Sequence, residues 1–162
     1  VIQVRIHIGC DPIGERLTER LLAELAEAGH DVVDHGHGHG GAEEGPRAGE
    51  PAQGDELAIA ITVGQAVAAE PGSLGIIVGT HGNGSQVGAN KVVGIRAALA
   101  WNERSAVLAR ERLDANVLAV GACLLDEDTL VRAVVRFAET PFGGRPFDRR
   151  RIEEITDYEA DR

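Results

Sequence analysis

The sequence predicts an α/β protein: a doubly wound parallel sheet with helices on both faces. Two observations predict it. Five short apolar or alternating runs have strand character, and stretches of helical length separate them. No internal repeat or second domain interrupts this order, and 162 residues is a one-domain length that can bury a sizeable core.

Each element has its own signal. "IQVRIHIG" (2–9) alternates, with Ile2, Val4, Ile6 and Ile8 apolar, and reads as the first strand. "ERLTERLLAELAEAGH" (15–30) sets Leu17, Leu21, Leu22 and Leu25 on one helical face and stops at Gly29. "DVV" (31–33) is a short strand, and "DELAIAITVGQAVAA" (55–69) a helix. "LGIIVG" (74–79) has the continuous apolar character of a buried parallel strand. A short helix is expected from Ser85 to Lys91, followed by strand "IRAALA" (95–100), a helix over 103–112 and strand "NVLAVG" (116–121). "DEDTLVRAVVRFAET" (126–140) starts acidic and carries an apolar stripe, and the polar segment 147–162 reads as a terminal helix.

Composition excludes several classes of partner. Sixteen Lys and Arg against 26 Asp and Glu give a formal charge of −10, a field that repels nucleic acid and acidic membranes. Aromatic residues, at 3%, are too few for base-stacking platforms. No apolar run reaches the length of a membrane span, and the first residues lack the pattern of a signal peptide, so a cytoplasmic location is expected. Two cysteines, Cys10 and Cys123, make no disulfide framework. Both fall at strand ends where either could border a cavity, although buried, inert thiols are the simpler reading.

One segment breaks the alternation. Residues 34–54, "DHGHGHGGAEEGPRAGEPAQG", form an expected long loop in which Glu43, Glu44 and Glu50 are solvating charges. His35, His37 and His39 alternate in it and could share one side of an extended segment, a geometry open to zinc, nickel or copper. No cysteine or carboxylate stands at matching spacing elsewhere, and ordering a glycine-rich backbone is costly, so no metal or other cofactor is expected.

The densest functional signal is "GTHGNGSQVGANK" (79–91). It follows a buried strand and leads into a helix, the place where an open α/β sheet presents backbone N–H groups to a ligand. The glycine spacing matches neither the P-loop nor the dinucleotide fingerprint. Asp11, after the first strand, is a second candidate at that edge, or simply a helix N-cap.

These stretches carry a resemblance. "IGCDPIGERL" (8–17), "PGSLGIIVGTHGNGSQVGANKVVGIRAALAW" (71–101), "LARERLDANVLAVGA" (108–122) and "RRIEEITDYE" (150–159) resemble the type B ribose-5-phosphate isomerase family, which includes the galactose-6-phosphate isomerase subunits. The resemblance runs nearly end to end. It implies a flavodoxin-like five-stranded sheet with an extended C-terminal helix, a homodimer with sites at the subunit interface, and metal-free aldose–ketose isomerisation through an enediolate. It places the base at Gly79, as a cysteine, or at Ser85, as a glutamate. It places a histidine at Pro12, a histidine and an asparagine at Arg112 and Leu113, an arginine at Cys123, and basic residues at Phe147 and Asp148. His81 stands where a small residue is usual, and of the basic cluster Arg151 keeps its character.

The candidate catalytic set is therefore His81, Asp11 and Ser85. His81 is the group that titrates near neutrality, Asp11 would orient or share the proton, and the N–H groups of residues 82–85 would hold an enolate. Gly82, Asn83, Gly84, Asn90, Cys10, Cys123 and Arg151 are the candidate substrate contacts. The lost cations point to proton transfer on a carbohydrate-like metabolite without phosphate or with altered charge. A silent, ligand-binding or heteromeric subunit is the alternative, and ordinary ribose-5-phosphate isomerisation the second.

Overall fold

The computed structural model describes residues 3–37 and 56–161. The elements are β1 (Arg5–Cys10), a 3₁₀ turn (Pro12–Gly14), α1 (Glu15–Glu27), β2 (Asp31–His37), α2 (Glu56–Ala69), β3 (Leu74–Gly79), α3 (Asn83–Ala89), β4 (Ala97–Ala100), α4 (Glu103–Leu113), β5 (Val117–Gly121), α5 (Glu127–Glu139) and α6 (Pro146–Ala160). All strand pairings are parallel, in the order β2-β1-β3-β5-β4. This is the expected doubly wound sheet, with its last two strands exchanged relative to the 2-1-3-4-5 order. β1 and β5 are not neighbours.

The side-chain period of two distributes each strand between two cores. Ile6, Ile8, Ile76, Val78, Leu118 and Val120 meet Leu17, Leu21 and Leu25 of α1 and Leu130, Val134 and Phe137 of α5. On the opposite face Ile77 and Val117 meet Ile59, Val63 and Val67 of α2. β3 is buried at every residue because both of its faces are covered, which explains its unbroken apolar run.

Most boundaries shift by one to three residues from the expectation, and two of the differences bear on the site. β2 does not stop at Val33: it continues through "DHGH" to His37, so the segment expected to be loop from residue 34 begins as strand. Parallel pairing of Asp34 with Ile8 and His37 with Cys10 supplies the order that composition does not, and Gly36 takes φ +73° where the register shifts. The remainder of that loop, with His39, Glu43, Glu44 and Glu50, lies outside the described residues. α3 begins at Asn83, two residues before the expected Ser85. Among the described residues no helix is long and apolar enough to cross a membrane.

Candidate functional site

The chain passes from β1 out to β2 and returns beyond β1 to β3, so strand order reverses between β1 and β3. Their C-terminal ends flank the crevice that such a reversal opens. Asp11 closes it. Its Oδ1 accepts from the N–H groups of Ile13 and Gly14, each at 3.0 Å, which caps the 3₁₀ turn. Its Oδ2 accepts from Thr80 N–H at 2.6 Å and Thr80 Oγ at 2.7 Å, at the end of β3. The carboxylate is buried, and both oxygens are engaged by these donors. Asp11 is thus an N-cap and also a clasp between two strand ends.

The loop after β3 is shaped by glycine. Gly82 holds φ +76°, and a Cβ there would stand 2.6 Å from Leu99 Cδ1. A Cβ on Gly121 would stand 2.7 Å from the His81 carbonyl oxygen. The loop is laced to the end of β5 by Ala122 N–H donating to Gly79 O and Cys123 N–H donating to Thr80 O. His81, Asn83 and Cys123 are exposed on this surface. No hydrogen bond joins His81 to Asp11 among the described residues. Cys10 instead turns into the core, where burial pushes its thiol pKa up and the neighbouring Asp11 carboxylate adds to the effect. Asn90 faces β4: its side-chain amide donates to Ala97 O at 2.9 Å and accepts from Ala97 N–H at 2.8 Å, acting as a strand partner for that edge.

A residue absent from the sequence-based candidates sits at the centre. Glu56 opens α2, and its half-buried carboxylate points into the glycine loop. Oε1 accepts from Ser85 N–H at 2.9 Å and from Ser85 Oγ at 2.7 Å. A Cβ at Gly79 would stand 2.5 Å from Oε1, and one at Gly84 would stand 2.6 Å from Oε2. Bare backbone at both positions is what admits the carboxylate.

The basic candidates occupy the opposite edge of the sheet. α4 starts beyond the end of β4 and runs back, so that Arg96, just before β4, donates to the carbonyls of Leu113 and Asp114. Arg112 Nε donates to both oxygens of Asp148, at 3.0 and 2.9 Å, and Asp148 is fully buried in the first turn of α6. Arg151 lies over the Phe147 ring, 4.7 Å from its centroid, and makes no ion pair among the described residues. Within one chain, Arg151 and the glycine loop do not come together.

The family profile for ribose/galactose isomerases matches residues 6–155. The chain belongs to this isomerase family. Among its relatives, ribose-5-phosphate isomerase B of Mycobacterium tuberculosis is 34% identical over 96% of this chain and 90% of that protein. Galactose-6-phosphate isomerase subunit LacA of Staphylococcus aureus is 30% identical, over 86% of this chain and 89% of that protein. The structure of ribose-5-phosphate isomerase B from Mycoplasma genitalium, with bound ribulose-5-phosphate, superposes with a TM-score of 0.85 at 29% identity and covers 100% of both chains. The Trypanosoma cruzi type B enzyme gives a TM-score of 0.84 at 30% identity over 99% of both chains.

Family membership gives the Glu56 carboxylate its interest. In this isomerase-family chain it lies against Gly79 and Ser85, the two positions at which the resemblance expects a base. Glu56 and Ser85 are 29 residues apart, and nothing local in "DELAIAITVG" announces where the first-turn acid points. The only available signal was the coincidence of two glycines and a serine with an acid at a helix start. Thr80, the second partner of Asp11, was likewise invisible without strand pairing.

Proposed function

We propose that this chain transfers a proton between adjacent carbons of a small carbohydrate-like substrate, interconverting an aldose and a ketose through an enediolate. We further propose that the substrate carries less negative charge than a sugar phosphate. The observation that supports this most is the Arg112–Asp148 pair, in which a buried carboxylate already takes both hydrogen bonds from a guanidinium nitrogen. A phosphate would have to compete with that carboxylate for the cation. Ser85 N–H, expected to face an oxyanion, is likewise engaged internally by Glu56. The N–H groups of Asn83 and Gly84 remain at the start of α3 without an acceptor among the described residues.

A second reading, a sugar-phosphate substrate like the one named for the relatives, is favoured by Arg151, an exposed cation without an ion-pair partner among the described residues. Because Arg151 lies at the sheet edge away from the glycine loop, its use there requires a second copy of the chain. Exposed Leu113, Phe147, Ile155 and Tyr158 around it suit burial against such a copy.

The test is deuterium incorporation followed by NMR in deuterated water. Ribose 5-phosphate is compared with D-ribose, D-ribulose and erythrulose. Exchange next to the carbonyl of an unphosphorylated compound, with a higher kcat/KM than for ribose 5-phosphate, is the expected result. A preference for ribose 5-phosphate selects the second reading. No exchange with any of them sinks the isomerase proposal and leaves the silent-subunit alternative.

A further inference from the structure

We infer that Glu56 is the general base of this site, a carboxylate delivered from the start of α2 rather than from the glycine loop. The inference rests on the isomerase reading above. Its ground is the asymmetry of the carboxylate. Oε1 is fixed by two donors from one residue, Ser85 N–H and Oγ–H. Oε2 makes no hydrogen bond among the described residues and lies over Gly84, where only hydrogen atoms cover the backbone. A glycine is needed beneath Oε2 whatever the carboxylate does, but a carboxylate serving only as a helix cap has no need to keep that oxygen free of donors. One that must hold its direction while presenting a lone pair to a reacting carbon needs one oxygen anchored and the other clear.

The neighbouring candidates do not offer this. Asp11 has both oxygens engaged by the Thr80, Ile13 and Gly14 donors. The His81 side chain is exposed, and none of the described hydrogen bonds orients its ring. Ser85 is fully buried and needs a base of its own to become reactive; here it donates to Glu56 and aims it.

The step balances without a co-reactant. Oε2 takes the proton from the carbon beside the substrate carbonyl, and the C–H electron pair forms the enediolate double bond while the carbonyl π pair moves to oxygen. The resulting carboxylic acid returns the proton to the adjacent carbon, and proton movement between the two substrate oxygens completes the isomerisation.

Two readouts test this. The first is the deuterium-exchange assay with ribose 5-phosphate, D-ribose, D-ribulose and erythrulose, run on the intact protein, on Glu56→Gln and on Glu56→Ala with and without added formate. Removing a positioned base is expected to slow exchange by about 10²–10⁴-fold in Glu56→Gln. Formate is expected to restore part of the rate in Glu56→Ala, which loss of a purely structural cap would not allow. A fall of less than about tenfold in a folded Glu56→Gln protein overturns the assignment while leaving the isomerase reading intact.

The second readout needs neither a substrate nor a variant. The unmodified protein is treated with glycidol, a neutral three-carbon epoxide, and mapped by mass spectrometry. A carboxylate oxygen bonds to an epoxide carbon, the ring C–O bond breaks, and the alkoxide takes a proton from water. Ester formation at Glu56 faster than at exposed Glu153 is expected. Should the protein exchange none of the probes, the isomerase reading fails and labelling alone judges Glu56. Preferential ester at Glu56 upholds its reactivity, and labelling no faster than at Glu153 overturns it.

Discussion

Replacing Asp11 by asparagine separates its role in the fold from any role in chemistry. The side chains are nearly the same size, but an amide has one acceptor where the carboxylate has two. Oδ1 serves Ile13 and Gly14, and Oδ2 serves Thr80 N–H and Oγ–H. Asparagine does best by keeping its oxygen toward the 3₁₀ turn. Its NH₂ then confronts the Thr80 N–H, donor to donor, while the threonine hydroxyl can rotate to accept. One buried N–H is left without a partner, at a cost of about 1–3 kcal/mol. Loss of the charge weakens the surviving bonds, so about 2–3 kcal/mol is expected in total. For a chain of this length that lowers the melting temperature by about 5–10 °C. Thermal and urea unfolding at one fixed protein concentration measure it, since any self-association would shift the midpoint. An unchanged midpoint with exchange activity abolished would refute the clasp and restore Asp11 as a group held for the substrate.

Two further predictions concern charge. His35 Nε2 lies 3.0 Å from His7 Nδ1, and burial, reinforced by the His7 charge, lowers the His35 pKa despite opposing effects of Asp34 and Glu70. Between the lowered folded value and the ordinary unfolded one, the unfolded chain binds more protons, so stability rises with pH through that window and is lost on acidification. Melting temperatures are expected to fall as pH is taken down through the histidine range, and His35→Gln should flatten the slope; an unchanged slope would count against the pair. Arg112→Leu leaves Asp148 buried and unpaired, which is expected to cost about 3 kcal/mol. Replacing both residues with leucine should recover most of that loss in urea unfolding, and failure to recover would mean that the pair does more than neutralise itself.

How much of this was legible in the sequence depends on the range of the interactions. β3 could be read because burial on both faces leaves a continuous apolar run, and α1 because its leucines recur on one face before Gly29. Composition alone stops β2 at Val33, because "DHGH" has the character of a loop and it is the pairing with β1 that makes it strand. The early start of α3 follows from Gly82, whose left-handed backbone turns directly into Asn83. The glycine loop and Asp11 were visible as candidates. Their partners were not, because Thr80 is 69 residues from Asp11 and Glu56 is 29 from Ser85. Local pattern carries no record of such separations.

The two ion-linked contacts divide the molecule by task. At the C-terminal edge of the sheet, Ser85 directs a carboxylate from another helix, so a negative charge already occupies part of the glycine loop. A substrate's anionic end would be repelled there and has to lie elsewhere, toward a cation. Within one chain the candidate cations are at the far edge, where Asp148 has already neutralised Arg112. Arg151 is the candidate that remains there without an ion pair among the described residues, and on the proposed reading it would act at the loop of another copy. The proposed function therefore puts chemistry and charge recognition on separate surfaces of one chain. Under the proposed function, a change of substrate charge would be accommodated around α6 while Glu56, Ser85 and the glycines around them stay as they are.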